Sequence, residues 1–189
     1  MPKSLGRRGW LESLLPVAAD AAAELKGLRE GPPPRRRRPP GALEEERFLE
    51  LCTRCGECIV ACPHGAVLYY NEKAPPSIQS TPVMRPERRA CEMCDGFPCA
   101  VSCEPGALQV PSERFAAIGV VRIAEDRCIA YLGPECGACV DACPHPLRAI
   151  TLERWRPVVD REACVGCGRC IHRCPTSPPA IAMEPLEPD

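Results

Sequence analysis

The sequence predicts an α+β chain of tandem small units with short strands and helical turns, preceded by a helical and proline-rich N-terminal segment. Three observations carry that fold class. Sixteen cysteines fall in four groups of four, a short strand-like run follows each group, and aromatic residues make up only 4% of the chain. So few large side chains cannot fill a core alone. Metal binding, which couples directly to folding, is the expected second source of stability. Dense cysteine reads either as a disulfide scaffold or as metal ligation, and spacing decides between them.

Residues 1–30 form the N-terminal helical segment, with one expected helix over residues 10–28, interrupted early by Pro16. The segment opens on Arg7-Arg8-Gly9-Trp10-Leu11, the core pattern of a twin-arginine export signal. Such a signal continues into an unbroken apolar stretch, and here Glu12, Asp20, Glu24 and Lys26 interrupt it. The expectation is an amphipathic or partner-docking helix on a cytoplasmic protein. Export to the periplasm through a degenerate signal is the alternative. Residues 31–47 are a Pro/Arg-rich linker. Its prolines favour extended polyproline II structure and its four adjacent arginines repel one another, so a solvated, semi-rigid spacer is expected.

Residues 48–189 hold the repeat. The groups are Cys52, Cys55, Cys58, Cys62; Cys91, Cys94, Cys99, Cys103; Cys128, Cys136, Cys139, Cys143; and Cys164, Cys167, Cys170, Cys174. Strand-like runs follow them at residues 66–69, 107–110, 149–152 and 180–183, and two more precede groups three and four at 120–123 and 157–160. The unit is strand, cysteine loop, helical turn, strand.

Groups one and four read C-x2-C-x2-C-x3-C-P, the run of bacterial two-cluster ferredoxins, in which the fourth cysteine ligates the other cluster. Two residues between ligands let a loop curl around three corners of a cube. The x3 gap is about one helical turn and aims the fourth thiolate away from its own loop. Gly56, Gly137 and Gly168, each next to a ligand, are expected to let the backbone approach sulfur without a Cβ. Pro63, Pro144 and Pro175 fix the chain as it leaves the site. Group two lengthens one gap to x4, and group three lengthens its first gap to the seven residues between Cys128 and Cys136. Both keep C-x2-C and the closing x3-C, so all sixteen cysteines are expected to ligate four [4Fe–4S] clusters in ferredoxin-like modules. Whether the group at Cys128 holds a full cubane is left open by spacing.

Zinc prefers two C-x2-C knuckles a dozen or more residues apart, and three cysteines within seven residues are too crowded for that. The same close spacing recurring four times disfavours disulfides. His64, His145 and His172 lie beside the last cysteines of three groups, but each group already has four thiolates, so surface positions are expected. Tyr69, Tyr70 and Tyr131 are expected in core packing. No phosphate-binding glycine loop and no Ser/His/Asp arrangement is present, which leaves an electron carrier, not an enzyme, with no catalytic residue. Formal net charge is −1. Residues 48–189 carry fourteen Lys/Arg against eighteen Asp/Glu, and roughly two further negative charges per oxidised cluster argue against nucleic acid as a partner. No apolar run approaches the ~20 residues of a spanning helix.

The stretch Arg38-Pro39-Pro40-Gly41-Ala42-Leu43, followed by Phe48-Leu49 and Cys52-Thr53-Arg54-Cys55-Gly56, resembles the NapG/MauM family of ferredoxin-type proteins. So do the loop from Cys91 to Cys99 and the long first gap of group three. The related NapF group shares elements like Cys128-Ile129-Ala130-Tyr131 and Arg7-Arg8-Gly9. The resemblance implies four [4Fe–4S] clusters and a redox partner or oxidoreductase complex of the nitrate-reductase or amine-oxidising type, with docking to a membrane quinol-oxidising partner in the exported branch. For the NapF branch it implies a cytoplasmic accessory role in molybdoenzyme maturation. Spacing allows cysteine groups to pair sequentially (one with two, three with four) or in a nested way (one with four, two with three). Other four-cluster subunits, and the regular spacing shared by groups one and four, suggest the nested arrangement.

Overall fold

The computed structural model describes residues 36–186 except 71–74, 114, 134, 145, 146 and 185. The expected N-terminal helix, the twin-arginine pattern and His145 lie outside the described residues.

Short aliphatic runs beside the cysteine loops become strands by pairing two at a time. β1 (Val67–Tyr69) pairs antiparallel with β2 (Pro82–Met84), Val67 opposite Met84. β3 (Val120–Ile123) pairs with β6 (Ile181–Glu184), Val121 opposite Met183. β4 (Ile150–Glu153) pairs with β5 (Arg156–Val159). The β4–β5 turn is Arg154-Trp155, both at positive φ, the backbone that matches strand twist in a two-residue hairpin. Along β6, Ile181 and Met183 are buried and Ala182 is exposed, the two-residue period of a strand with one wet face.

Between the strands lie short helices. α1 (Glu45–Leu51) has Glu45 and Glu46 in its first turn, where the helix dipole favours negative charge. α2 (Glu57–Val60), α3 (Pro98–Val101), α5 (Ala138–Ala142) and α6 (Arg169–Arg173) are single turns, each carrying the third cysteine of a group. α4 (Ile129–Leu132) fills part of the long gap after Cys128. The closing cysteines Cys62, Cys103, Cys143 and Cys174 follow just past these turns.

Pairing divides the described chain into two halves with one pattern. The strand after group one pairs with the strand before group two, and Ala42, before group one, bridges antiparallel to Leu108, after group two. The strand after group three pairs with the strand before group four, and β3, before group three, pairs with β6, after group four. The halves therefore join groups one with two and three with four, and the nested arrangement is not formed. Closure over the short stretches between β1 and β2 and between β4 and β5 costs less chain entropy than a nested closure.

Three other expectations change. The run at 107–110 forms a single bridge, not a strand: beyond the Gln109 N–H to Gly41 carbonyl bond the next hydrogen-bonded pair would be Pro39 with Pro111, and neither has an N–H to extend the ladder. β2 had no sequence signal, being crowded by prolines. Residues 36–47 are not a solvated spacer: Arg38 is 5% exposed, Glu45 is 4% exposed, and Pro39 and Pro40 are fully buried. The Arg38 guanidinium donates Nε to Glu45 Oε2 (3.0 Å), Nη2 to Glu45 Oε1 (2.6 Å), and Nη1 to Thr81 Oγ1 (2.8 Å) and the Pro82 carbonyl (2.6 Å). It also lies 4.4 Å from the Phe48 ring centre. An arginine with such partners is pulled into the fold, where repulsion from its neighbours no longer decides its place.

The core of the first half is Phe48, Val67, Met84, Met93, Phe97 and Leu108 with Cys58, Cys91 and Cys99. That of the second is Val121, Ile150, Ile171, Ile181 and Met183 with Cys139 and Cys170. Cysteine takes the volume that aromatic residues usually fill.

Candidate iron–sulfur sites

Each cysteine loop places its first two sulfurs before a one-turn helix and its third on that helix, so the loop wraps one point. The fourth cysteine, a turn later, faces the neighbouring loop. Cys58 shows this directly: burial, then the nearby thiols of Cys103, Cys52 and Cys55, push its pKa up to about 12. Cys52 is raised by burial, with Cys103 again among its neighbours. Cys52, Cys55 and Cys58 thus gather with Cys103, and Cys55 is the exposed one of the sixteen.

The second gathering is reciprocal. Burial pushes Cys99 up to about 11, with Cys62 the foremost neighbouring thiol and Cys94 next. Burial likewise pushes Cys91 up to about 12, with Cys99 and Cys94 beside it. In the second half, Cys128, Cys136, Cys139 and Cys174 line one apolar cavity with Pro157, Ala180 and Ile181. Burial and the Cys128 and Cys136 thiols push Cys139 up to about 11. Cys143, Cys164, Cys167 and Cys170 line another, walled by Val121, Leu147 and Ile150, and Cys170 and Cys167 are both raised by burial. No disulfide joins any of the sixteen cysteines. The first three cysteines of group three, for all its long first gap, line one cavity with Cys174 of group four.

Buried thiols crowded by other thiols resist ionising, because burial disfavours the charged form and each thiolate repels the next. A bound cation reverses this by deprotonating its thiol ligands. Four cysteine sulfurs in an apolar shell are the donor set of a [4Fe–4S] cluster, so the chemistry of each gathering fits that group.

Backbone amides complete the shell. Ala66 N–H donates to Cys62 Sγ (3.3 Å), Leu108 N–H to Cys103 Sγ (3.3 Å) and Ala180 N–H to Cys174 Sγ (3.4 Å). The donor is the first or second residue of the run after the group. Thr176 Oγ1 lies 3.2 Å from Cys174 Sγ and accepts the Ala180 N–H at 2.8 Å. Sequence reasoning missed these donors, since an amide leaves no side-chain signal; Thr176, directly after Cys174-Pro175, was visible by position alone.

The glycines serve differently from expected. Gly56 (φ +85°) and Gly168 (φ +79°) start α2 and α6 in the left-handed region, and a Cβ there would collide with the Tyr69 hydroxyl and with Pro86 Cβ. Close neighbours across the fold, not the sulfurs, require glycine at these two positions. Gly137 has φ −123° and only Leu152 within 4.0 Å of its Cβ position, so no such need applies to it. His64 and His172 are exposed. Tyr69 is exposed and Tyr70 is half-buried under Arg36, so neither is a core residue, whereas Tyr131 packs against the cluster of Cys128, Ala130 and Ala180 and donates its hydroxyl to the Pro157 carbonyl at 3.3 Å. Among the described residues no helix is long and apolar enough to cross a membrane.

Two family models match: a 4Fe-4S dicluster domain over residues 134–177 and a 4Fe-4S binding domain over residues 47–68. The chain is 40% identical over 137 residues to the methylamine utilization ferredoxin-type protein MauM of Paracoccus denitrificans, covering 67% of this chain and 61% of that protein. It is 35% identical to the ferredoxin-type protein NapG of Escherichia coli, covering 85% of this chain and 78% of the relative. To the ferredoxin-type protein NapF of Escherichia coli it is 34% identical, over 65% and 70%. The chain spans about three fifths of the length of the MauM relatives. No solved structure matches.

Proposed function

The chain belongs to the NapG/MauM ferredoxin-type family, and on that premise we propose that it is an electron carrier holding four [4Fe–4S] clusters in two tandem two-cluster ferredoxin modules. It serves as redox partner or subunit of an oxidoreductase of the nitrate-reductase or amine-oxidising type. The observation that supports this best is the exchange of closing cysteines within each half: Cys62 lies with Cys99 and Cys94, and Cys103 lies with Cys58 and Cys52. Such exchange is the ligation scheme of two-cluster ferredoxins.

In this reading Cys52, Cys55, Cys58 and Cys103 hold the first site, and Cys91, Cys94, Cys99 and Cys62 the second. Cys128, Cys136, Cys139 and Cys174 hold the third, and Cys164, Cys167, Cys170 and Cys143 the fourth. A bound cluster supplies one-electron storage at a potential that the protein sets. The chain's residues fix the sulfurs, exclude water with Val67, Leu108, Ile150 and Ile181, and donate amide hydrogens to three closing sulfurs. The finer assignment is docking against a quinol-oxidising membrane partner.

Anaerobic reconstitution followed by iron and sulfide analysis and EPR of the reduced protein tests the cluster count. About sixteen irons per chain are expected, and fewer than about twelve would overturn the count of four. Co-purification with a catalytic partner in fixed ratio would mark a subunit. Capture of an apo-molybdoenzyme, without any change in electron flux to the mature enzyme, would replace the carrier reading with a maturation role.

A further inference from the structure

Where the two halves meet, cysteine loops from both are in contact. The Cys91 N–H donates to the Cys167 carbonyl at 2.9 Å, and the Ile118 N–H to the Val165 carbonyl at 2.9 Å. Cys167 is buried in the core of the first half, with Val165 packed against it. The approach is backbone on backbone: a Cβ on Gly166 would sit 2.4 Å from the Gly119 carbonyl oxygen. At the rim, Arg169 Nη1 pairs with Glu92 Oε2 at 3.2 Å. The loop of group two therefore lies against the loop of group four.

Among the described residues the other two loops make no backbone hydrogen bond across this seam. Cys128 and Ala180, with Cys136, Cys174 and Tyr131, make a cluster drawn wholly from the second half. Cys139 and Cys170 share the core that links groups three and four. Cys52, Cys58 and Cys103 belong to the first half's core with Cys91 and Cys99.

We infer that the four sites form one line in the spatial order first, second, fourth, third, and that the Cys91–Cys167 backbone contact is the splice between its two halves. Sequence order and spatial order therefore differ, with group three at the far end. The inference rests on the four-cluster reading and deepens it. Gly166 is a positioning residue here, since any side chain would push the two loops apart.

Magnetic coupling between reduced clusters falls with the cube of their separation, so EPR reads the order without any partner or activity. Alanine at Cys52, Cys55, Cys128 and Cys136 leaves the second and fourth sites, with about eight irons expected. Its reduced spectrum should be split or broadened by coupling. Alanine at Cys91, Cys94, Cys164 and Cys167 leaves the first and third, whose reduced signals should be narrow and independent. An uncoupled second–fourth pair in iron-replete protein, or a coupled first–third pair, overturns the order. Should a quadruple variant lose iron, the variants Cys52→Ala/Cys55→Ala and Cys128→Ala/Cys136→Ala each leave three sites. The second–fourth coupling must persist in both, and its absence from either iron-replete protein also overturns the order. Fewer than about twelve irons in the unaltered chain is the distinct result that fails the four-cluster reading itself.

Discussion

Arg38 is the residue whose loss should be felt most outside the cysteines. It is buried, makes a two-pronged pair with Glu45 and also satisfies Thr81 and the Pro82 carbonyl. Removing one member of a buried pair leaves the other charge stranded, at a cost of about 3–5 kcal/mol. Arg38→Ala should lower the denaturation midpoint of the loaded protein accordingly. Arg38→Met with Glu45→Leu should lose clearly less, because no charge is left behind; equal losses would refute the account. Thr176 acts on the third site instead. Its oxygen accepts the Ala180 amide, which leaves the hydroxyl hydrogen free for Cys174 Sγ. A hydrogen bond to a ligand sulfur favours the more negative, reduced state. Thr176→Val should lower that site's potential by roughly 20–60 mV, one lost hydrogen bond expressed for a one-electron couple. Potentiometric EPR measures it, and an unchanged or raised potential contradicts it. The gathering of the cysteines was legible in the sequence because their spacing alone wraps each loop around one point. Arg38 was not, since four arginines in a row look alike until one finds an acid across the fold.

Among the elements, the one-turn helices do the sorting. A turn between third and fourth cysteine carries the fourth past its own loop, so Cys62 meets Cys99 and not Cys58. Cys62→Ser should therefore perturb the EPR signal of the loop at Cys91, Cys94 and Cys99 and spare that of its own loop; the reverse pattern would contradict the exchange. Spacing made this legible, as the x3 gap implies a turn whatever the rest of the chain does. Strands were legible as short aliphatic runs beside the cysteine loops, as in β3 and β6, whereas the hairpin turn at Arg154-Trp155 was not, because it lacks the asparagine or glycine that usually marks one. They failed at 107–110, where the ladder would next need N–H groups from Pro111, directly after the run, and from Pro39, far away in sequence. β2 went unread because its residues only become a strand by lying beside β1.

At the scale of the molecule, the choice between sequential and nested pairing could not be read from spacing, which is the same in both. It is decided by chain closure and by strand partners, properties of the whole fold. The glycine at 166 likewise gains its meaning only where the halves meet. Among the described residues the three sheets have two strands each, and a two-stranded ribbon is marginal in water by itself. With the cores built around sulfur, little in this protein is a scaffold apart from its metal sites. Melting and bleaching should then be a single event: the visible absorbance and the far-UV circular dichroism of the loaded chain should be lost over one temperature interval, and chelation of iron should abolish both. A chain that kept its circular dichroism after losing colour would have a framework of its own. If strands paired only by twos do depend on the clusters in this way, the amount of folded chain should follow the supply of iron.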